Sequence, residues 1–75
     1  MLELFIKETC PYCQKVMNYL DENGFEYKKI DVMNKLNEEA LIKIGGKSQV
    51  PFLMDREHNI EMYESGDILE YLKTL

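Results

Sequence analysis

Short apolar runs alternate with amphipathic stretches along the whole chain. Leu2–Lys7 reads as a strand, and because Phe5 is apolar between apolar neighbours the odd–even alternation breaks, as suits a central strand covered on both faces. Pro11–Asn23 has Cys13, Val16, Met17 and Leu20 at helical spacing, with Gln14, Lys15, Asn18, Asp21 and Glu22 between them. Gly24 stands where it would stop that helix as its C′ residue. Phe25–Asp31 predicts a second strand, and its Lys28-Lys29 pair belongs at a sheet edge, where charge discourages stray pairing. A second helix begins between Asn34 and Asn37, turns Leu36, Ala40, Leu41 and Ile44 inward, and ends at Gly45-Gly46. Val50–Met54 and Ile60–Met62 are short strands joined by the turn-rich segment Asp55–Asn59, which predicts a hairpin. Ser65 is expected to cap a last helix, with Ile68, Leu69, Leu72 and Leu75 on one face and Asp67 in the first turn.

The element order is β-α-β-α-β-β-α, an α/β class with a mixed sheet and helices on both faces. The first β-α-β unit should be a right-handed parallel crossover. No repeat, linker or low-complexity segment interrupts it, so residues 1–75 are expected to form one domain. Ligands of open α/β sheets sit beyond the carboxyl ends of the parallel strands, which here is the region after Lys7.

The chain of 75 residues carries nine basic and fourteen acidic side chains, a net charge of −5. That balance argues against nucleic-acid binding, which needs a basic face to neutralise phosphates. No apolar run approaches the roughly 20 residues that cross a bilayer, so no membrane association is expected. The N-terminus enters its apolar run without a basic leader, and two cysteines in a leaderless chain point to the cytoplasm. Nothing in the chain demands dimerisation, and a monomer is expected. The five methionines fall at core positions and read as packing, and His58 reads as a solvated loop residue.

Cys10 and Cys13 are the only cysteines, one helical turn apart, with Pro11 and Tyr12 between them. Pro11 suits the first helical position, where its missing N–H has no partner to lose. Cys10 then falls at the N-cap, facing unpaired amides and the positive end of the helix dipole. Such a setting favours thiolate over thiol, and Lys7 upstream adds to the effect. Cys13 lies on the apolar face of the helix. The pair reads as an exposed nucleophile with a sheltered resolving partner. As a brace, a bridge closing so short a loop is worth only about 2 kcal/mol. A structural zinc site needs four ligands, and the two thiols with a remote His58 fall short, so no metal is expected.

Lys7-Glu8-Thr9-Cys10-Pro11-Tyr12-Cys13 after the first strand, with Val50-Pro51 opening the third, resembles the glutaredoxins over essentially the whole chain. The resemblance implies a minimal thioredoxin fold with strand order 2-1-3-4 and glutathione as co-substrate. It implies that Pro51 is cis and that the backbone of Val50 pairs with the cysteinyl part of glutathione. Lys7 and Tyr12 match positions bordering the glutathione groove, and Lys47 matches a cation for the glycyl carboxylate. Ser65, Gly66 and Asp67 match the γ-glutamyl end, with amides for its carboxylate and an acid for its ammonium. Gln49 stands where many glutaredoxins have Thr. Tyr63-Glu64 replaces the usual Gly-Gly, and Tyr63-Glu64-Ser65 is similar to the N-terminal domain of glutathione transferases.

The activity this implies is reduction of glutathionylated and disulfide-bonded proteins, with Cys10 as nucleophile and Cys13 as resolving thiol. Two rival readings follow from the same resemblance. One is a glutathione-ligated iron–sulfur carrier bridging two subunits, although such relatives more often lack the second cysteine or have Gly or Ser in place of Pro11. The other is a transferase-like glutathione-binding domain.

Overall fold

The computed structural model describes all residues from Met1 to Leu75. Its elements run β1 (Leu2–Ile6), α1 (Pro11–Glu22), β2 (Tyr27–Asp31), α2 (Lys35–Gly45), β3 (Phe52–Asp55), β4 (Ile60–Tyr63) and α3 (Ser65–Leu72). The sheet order is β2-β1-β3-β4, with β1 parallel to β2 and antiparallel to β3, and β3 antiparallel to β4. This is the expected minimal thioredoxin architecture. The lysine-bearing β2 is an edge strand, and β1 is central. No helix is long and apolar enough to cross a membrane.

Alternation along β1 sorts two cores onto the two sheet faces. Leu2, Leu4 and Ile6 point to one face, where Cys13, Val16, Met17 and Leu20 of α1 and Ile68 and Leu72 of α3 close over them. Phe5 points to the other face, against Phe52, Met54, Val32 and the α2 residue Leu41. Phe5 and Phe52 are register partners, with ring centroids 5.8 Å apart.

The end of α1 follows from Gly24. At φ +71° it lets the Phe25 amide reach the Leu20 carbonyl at 2.9 Å, and its own amide reach Asp21 at 3.3 Å. These two bonds form the Schellman closure that a C′ glycine permits. Asn34 caps α2, its side chain accepting from the Leu36 amide at 2.9 Å.

Several expectations need correction. The strands are shorter or shifted: Lys7 lies outside β1, Phe25 and Glu26 outside β2, and β3 begins at Phe52, while β4 extends to Tyr63. Only Leu41 of the four apolar α2 residues is buried; Leu36 is 75 % exposed, Ile44 is exposed and Ala40 half-buried. Leu41 packs with Phe5, Val32, Phe52 and Met54, whereas Leu36, five residues earlier, lies about 140° round the helix from it. Ser65 does not cap α3. Glu64 holds the cap position at φ +69°, makes no side-chain capping bond, and leaves Ser65 as the first helical residue. Leu75 lies beyond α3 and is exposed, and Met1 and Met33 are exposed instead of packed.

Asp55, read from sequence as the first residue of the turn-rich segment, ends β3 and is buried, 3 % exposed. Its Oδ2 accepts from the Tyr71 hydroxyl at 2.5 Å and lies 2.7 Å from His58 Nδ1. His58 is exposed as expected, yet it is tied to this carboxylate.

Candidate active site

The loop after β1 delivers Cys10 to the helix start by local bonds. The Cys10 amide donates to the Lys7 carbonyl at 3.1 Å, and the Gln14 side chain donates to the Glu8 carbonyl at 2.7 Å. Cys10 is the N-cap of α1, with extended backbone (φ −87°, ψ 117°), and Pro11 is the first helical residue. Its sulfur accepts the Cys13 amide at 3.4 Å, as a capping oxygen would. Both cysteines are free thiols, Cys10 half-buried and Cys13 buried.

The two thiols differ in acidity for physical reasons. Partial burial works against the Cys10 thiolate, but the Cys13 amide and thiol, the Tyr12 amide and the Lys7 charge outweigh it and hold the group below its ordinary value. Burial dominates at Cys13, and with the neighbouring Cys10 charge it pushes that thiol up to about 12, despite a bond to Lys7 backbone and the Lys7 charge. Cys10 is thus the more acidic of the two thiols and Cys13 the less acidic.

Beside the helix start lies a groove of 320 Å³ lined by Tyr12, Gln49, Val50, Pro51, Glu64 and Ser65. The Val50–Pro51 peptide is cis, as the resemblance implied. Pro51 is buried, Gln49, Val50 and Ser65 are half-buried, and Tyr12 and Glu64 are exposed. Gln49 Nε2 donates to Glu64 Oε1 at 3.0 Å across the α2–β3 loop and the start of α3. A wider groove of 530 Å³ lies over α2 and another of 260 Å³ beside the N-terminus, but neither includes Tyr12 or Pro51.

Six of the residues singled out from sequence therefore share one groove. Lys7 sits half-buried in the Cys10 loop, and Gly66 and Asp67 are exposed in the first turn of α3, outside the groove wall. Lys47 is also off the wall, with Nζ 4.8 Å from the centre of the Tyr63 ring. Tyr63, which sequence reasoning met only as a departure from a family pattern, bonds twice to the Lys47 backbone. Nothing local signals that contact, because the two residues are sixteen apart.

An N-cap thiol of lowered pKa, a buried partner one turn on, and a cis-proline in the adjoining groove define a dithiol site on a thioredoxin fold. Residues 4–75 match the family of glutathione S-transferase N-terminal domains. Glutaredoxin 3 of Escherichia coli (strain K12) is 32% identical over 59 residues, which are 76% of this chain and 71% of that protein. Among solved structures, Ure2p in complex with glutathione matches with a TM-score of 0.77 at 29% identity, covering 95% of this chain but only 31% of that one. A buckwheat glutaredoxin–glutathione complex shares the fold at a TM-score of 0.76 and 22% identity, covering 97% of this chain and 68% of that one. The chain belongs to the family of glutathione S-transferase N-terminal domains and, by its match to glutaredoxin 3, is glutaredoxin-like with a thioredoxin fold.

Proposed function

We propose that this protein is a glutathione-dependent thiol–disulfide oxidoreductase acting in the cytoplasm as a monomer. The observation that carries the reading is the N-cap placement of Cys10, whose sulfur takes the Cys13 amide at 3.4 Å one turn before the buried Cys13 thiol, with the Cys10 pKa lowered and that of Cys13 raised to about 12. The relatives add support: one is a glutaredoxin, and Ure2p, at 29% identity, has been solved with glutathione.

In the proposed cycle the Cys10 thiolate attacks the glutathionyl sulfur of a mixed disulfide. The old S–S bond breaks and the substrate leaves as a thiolate that takes a proton from solvent. A second glutathione, as thiolate, attacks the Cys10–glutathione bond, releasing glutathione disulfide and restoring the Cys10 thiolate. On a protein disulfide, the Cys10 thiolate first forms a mixed disulfide and frees one substrate thiol. Cys13 then gives up its proton to solvent and attacks the Cys10 sulfur, expelling the second substrate thiol and forming a Cys10–Cys13 bridge. Two glutathiones reduce that bridge, leaving as glutathione disulfide. The lowered Cys10 pKa chiefly helps when that sulfur is the leaving group. In the same reading Tyr12, Gln49, Val50 and Pro51 form the groove wall, Val50 backbone pairs with the cysteinyl unit, and Lys47 and Lys7 supply positive charge. Glu64, Ser65, Gly66 and Asp67 take the γ-glutamyl end; the first amides of α3 have no side-chain cap competing for them.

The test is turnover of a low-molecular-weight glutathione mixed disulfide by wild type, Cys10→Ser and Cys13→Ser. The Cys13 variant is expected to keep turnover and the Cys10 variant to lose it. Iodoacetamide alkylation of Cys10 should rise with pH through a midpoint below that of an ordinary cysteine. Turnover retained without Cys10 overturns the assignment.

The match to transferase N-terminal domains favours one alternative, conjugation of glutathione to an electrophile. Conjugation to a chlorinated dinitrobenzene, unchanged in Cys10→Ser, would support that reading in place of disulfide exchange.

A further inference from the structure

The junction between β4 and α3 grips the loop that precedes the cis-proline. Tyr63 donates its hydroxyl hydrogen to the Lys47 carbonyl at 2.7 Å and accepts the Lys47 amide at 3.3 Å. One phenol therefore occupies both backbone polar groups of a single residue. The ring packs against Phe52, with centroids 4.5 Å apart, and against Gly45, where an added Cβ would come within 2.8 Å of Tyr63 Cζ. Lys47 Nζ stands 4.8 Å from the centre of the same ring, within cation–π range. The next residue, Glu64, takes the Gln49 side chain at 3.0 Å. Two successive residues of the junction thus hold Lys47 and Gln49, and Gln49 lines the groove beside Tyr12.

An exposed lysine on a free loop has many rotamers to lose when it meets a ligand. A side chain that fixes the loop backbone and offers a ring to the cation removes part of that loss before binding, which is preorganisation. We infer that Tyr63 is a positioning residue for Lys47, setting that cation for the carboxylate at the glycyl end of a glutathione in the groove, an inference that rests on the function proposed above. Tyr63 bonds to neither thiol. Its effect belongs to recognition of the glycyl end and leaves the acidity of Cys10 alone.

The experiment compares glutathione with γ-glutamylcysteine, which lacks the glycyl carboxylate, as reducing thiol for one low-molecular-weight disulfide. Wild type, Tyr63→Phe, Tyr63→Leu and Lys47→Ala are assayed. Wild type should show the lower KM for glutathione, and Lys47→Ala should lose that preference. Tyr63→Phe keeps the ring but loses both hydroxyl bonds; its KM for glutathione should rise about three- to tenfold, the size of one or two net hydrogen bonds. Its kcat, its KM for γ-glutamylcysteine and its pH profile of Cys10 alkylation should stay as in wild type, which a general structural defect would not allow. Tyr63→Leu should lose the preference entirely, and if that variant does not fold the phenylalanine variant decides alone. A wild type that turns over neither thiol overturns the proposed function. A wild type whose preference depends on Lys47 but survives intact in Tyr63→Phe overturns the role of Tyr63, as does a wild type with equal KM for the two thiols.

Discussion

Single residues in this protein take their chemistry from where the chain leaves them. Cys10 and Cys13 are the same side chain three positions apart, yet amides lower one and burial raises the other. The same contest runs at Asp55. Burial disfavours its charge, but the hydroxyl of Tyr71 and the imidazole of His58 win and hold its carboxyl below the usual carboxylate range. Tyr71, half-buried and facing that anion, is pushed up to about 12. As pH falls, the unfolded Asp55 takes up its proton before the folded one does. The stabilisation is therefore complete above about pH 4, the ordinary aspartate range, and fades as pH drops through the lower folded value. Asp55→Asn is expected to cost about 1–3 kcal/mol at neutral pH, the penalty for disturbing a buried hydrogen-bonded group. Its stability should also fall less between pH 5 and pH 3 than that of wild type, as urea unfolding at each pH would read. An unchanged acid limb would remove Asp55 from the account.

At the scale of elements, local signals were strong where a cap or breaker acts within one turn. Pro11 and Cys10 start α1, and Gly24 closes it, as the spacing indicates. The signals failed where the outcome depends on what lies opposite. Leu36 and Ile44 share a helical stripe with Ala40, but it is Leu41, about 140° round the helix from Leu36, that is buried against the sheet. Likewise Ser65 has the chemistry of a cap, but Glu64 at positive φ takes the turn and moves Ser65 into the helix. Leu41→Ala should therefore cost about 2–5 kcal/mol through the cavity left in the second core. Leu36→Ser should stay within about 0.5 kcal/mol of wild type. Chemical denaturation of the two variants separates them, and equal losses would mean that both leucines bear on the sheet.

The whole molecule is two small cores back to back on one sheet. One cluster holds ten buried residues and the other five, and β1 and β3 contribute to both. A chain this size buries only about 60 % of its unfolded surface, so neither layer has stability to spare. Shared strands couple them. Leu20→Ala under α1 and Leu41→Ala under α2 should each shift one common urea transition, with a slope near 1 kcal/mol/M. A biphasic curve, with each substitution moving a different step, would show that the layers unfold separately.

The order of elements, the central place of β1, the edge character of β2 and the position of Cys10 at a helix start were all readable from the chain. They depend on periodicity, on Pro11 and Gly24, and on contacts that close within a few residues. The burial of Asp55 under Tyr71 and the hold of Tyr63 on Lys47 each join residues sixteen apart, and the burial of Leu41 instead of Leu36 depends on Phe5, Phe52 and Met54 of the strands. Those were decided only when the sheet brought distant segments together, because the free energy of a side chain there is set by its neighbours across the fold and not by its neighbours along the chain.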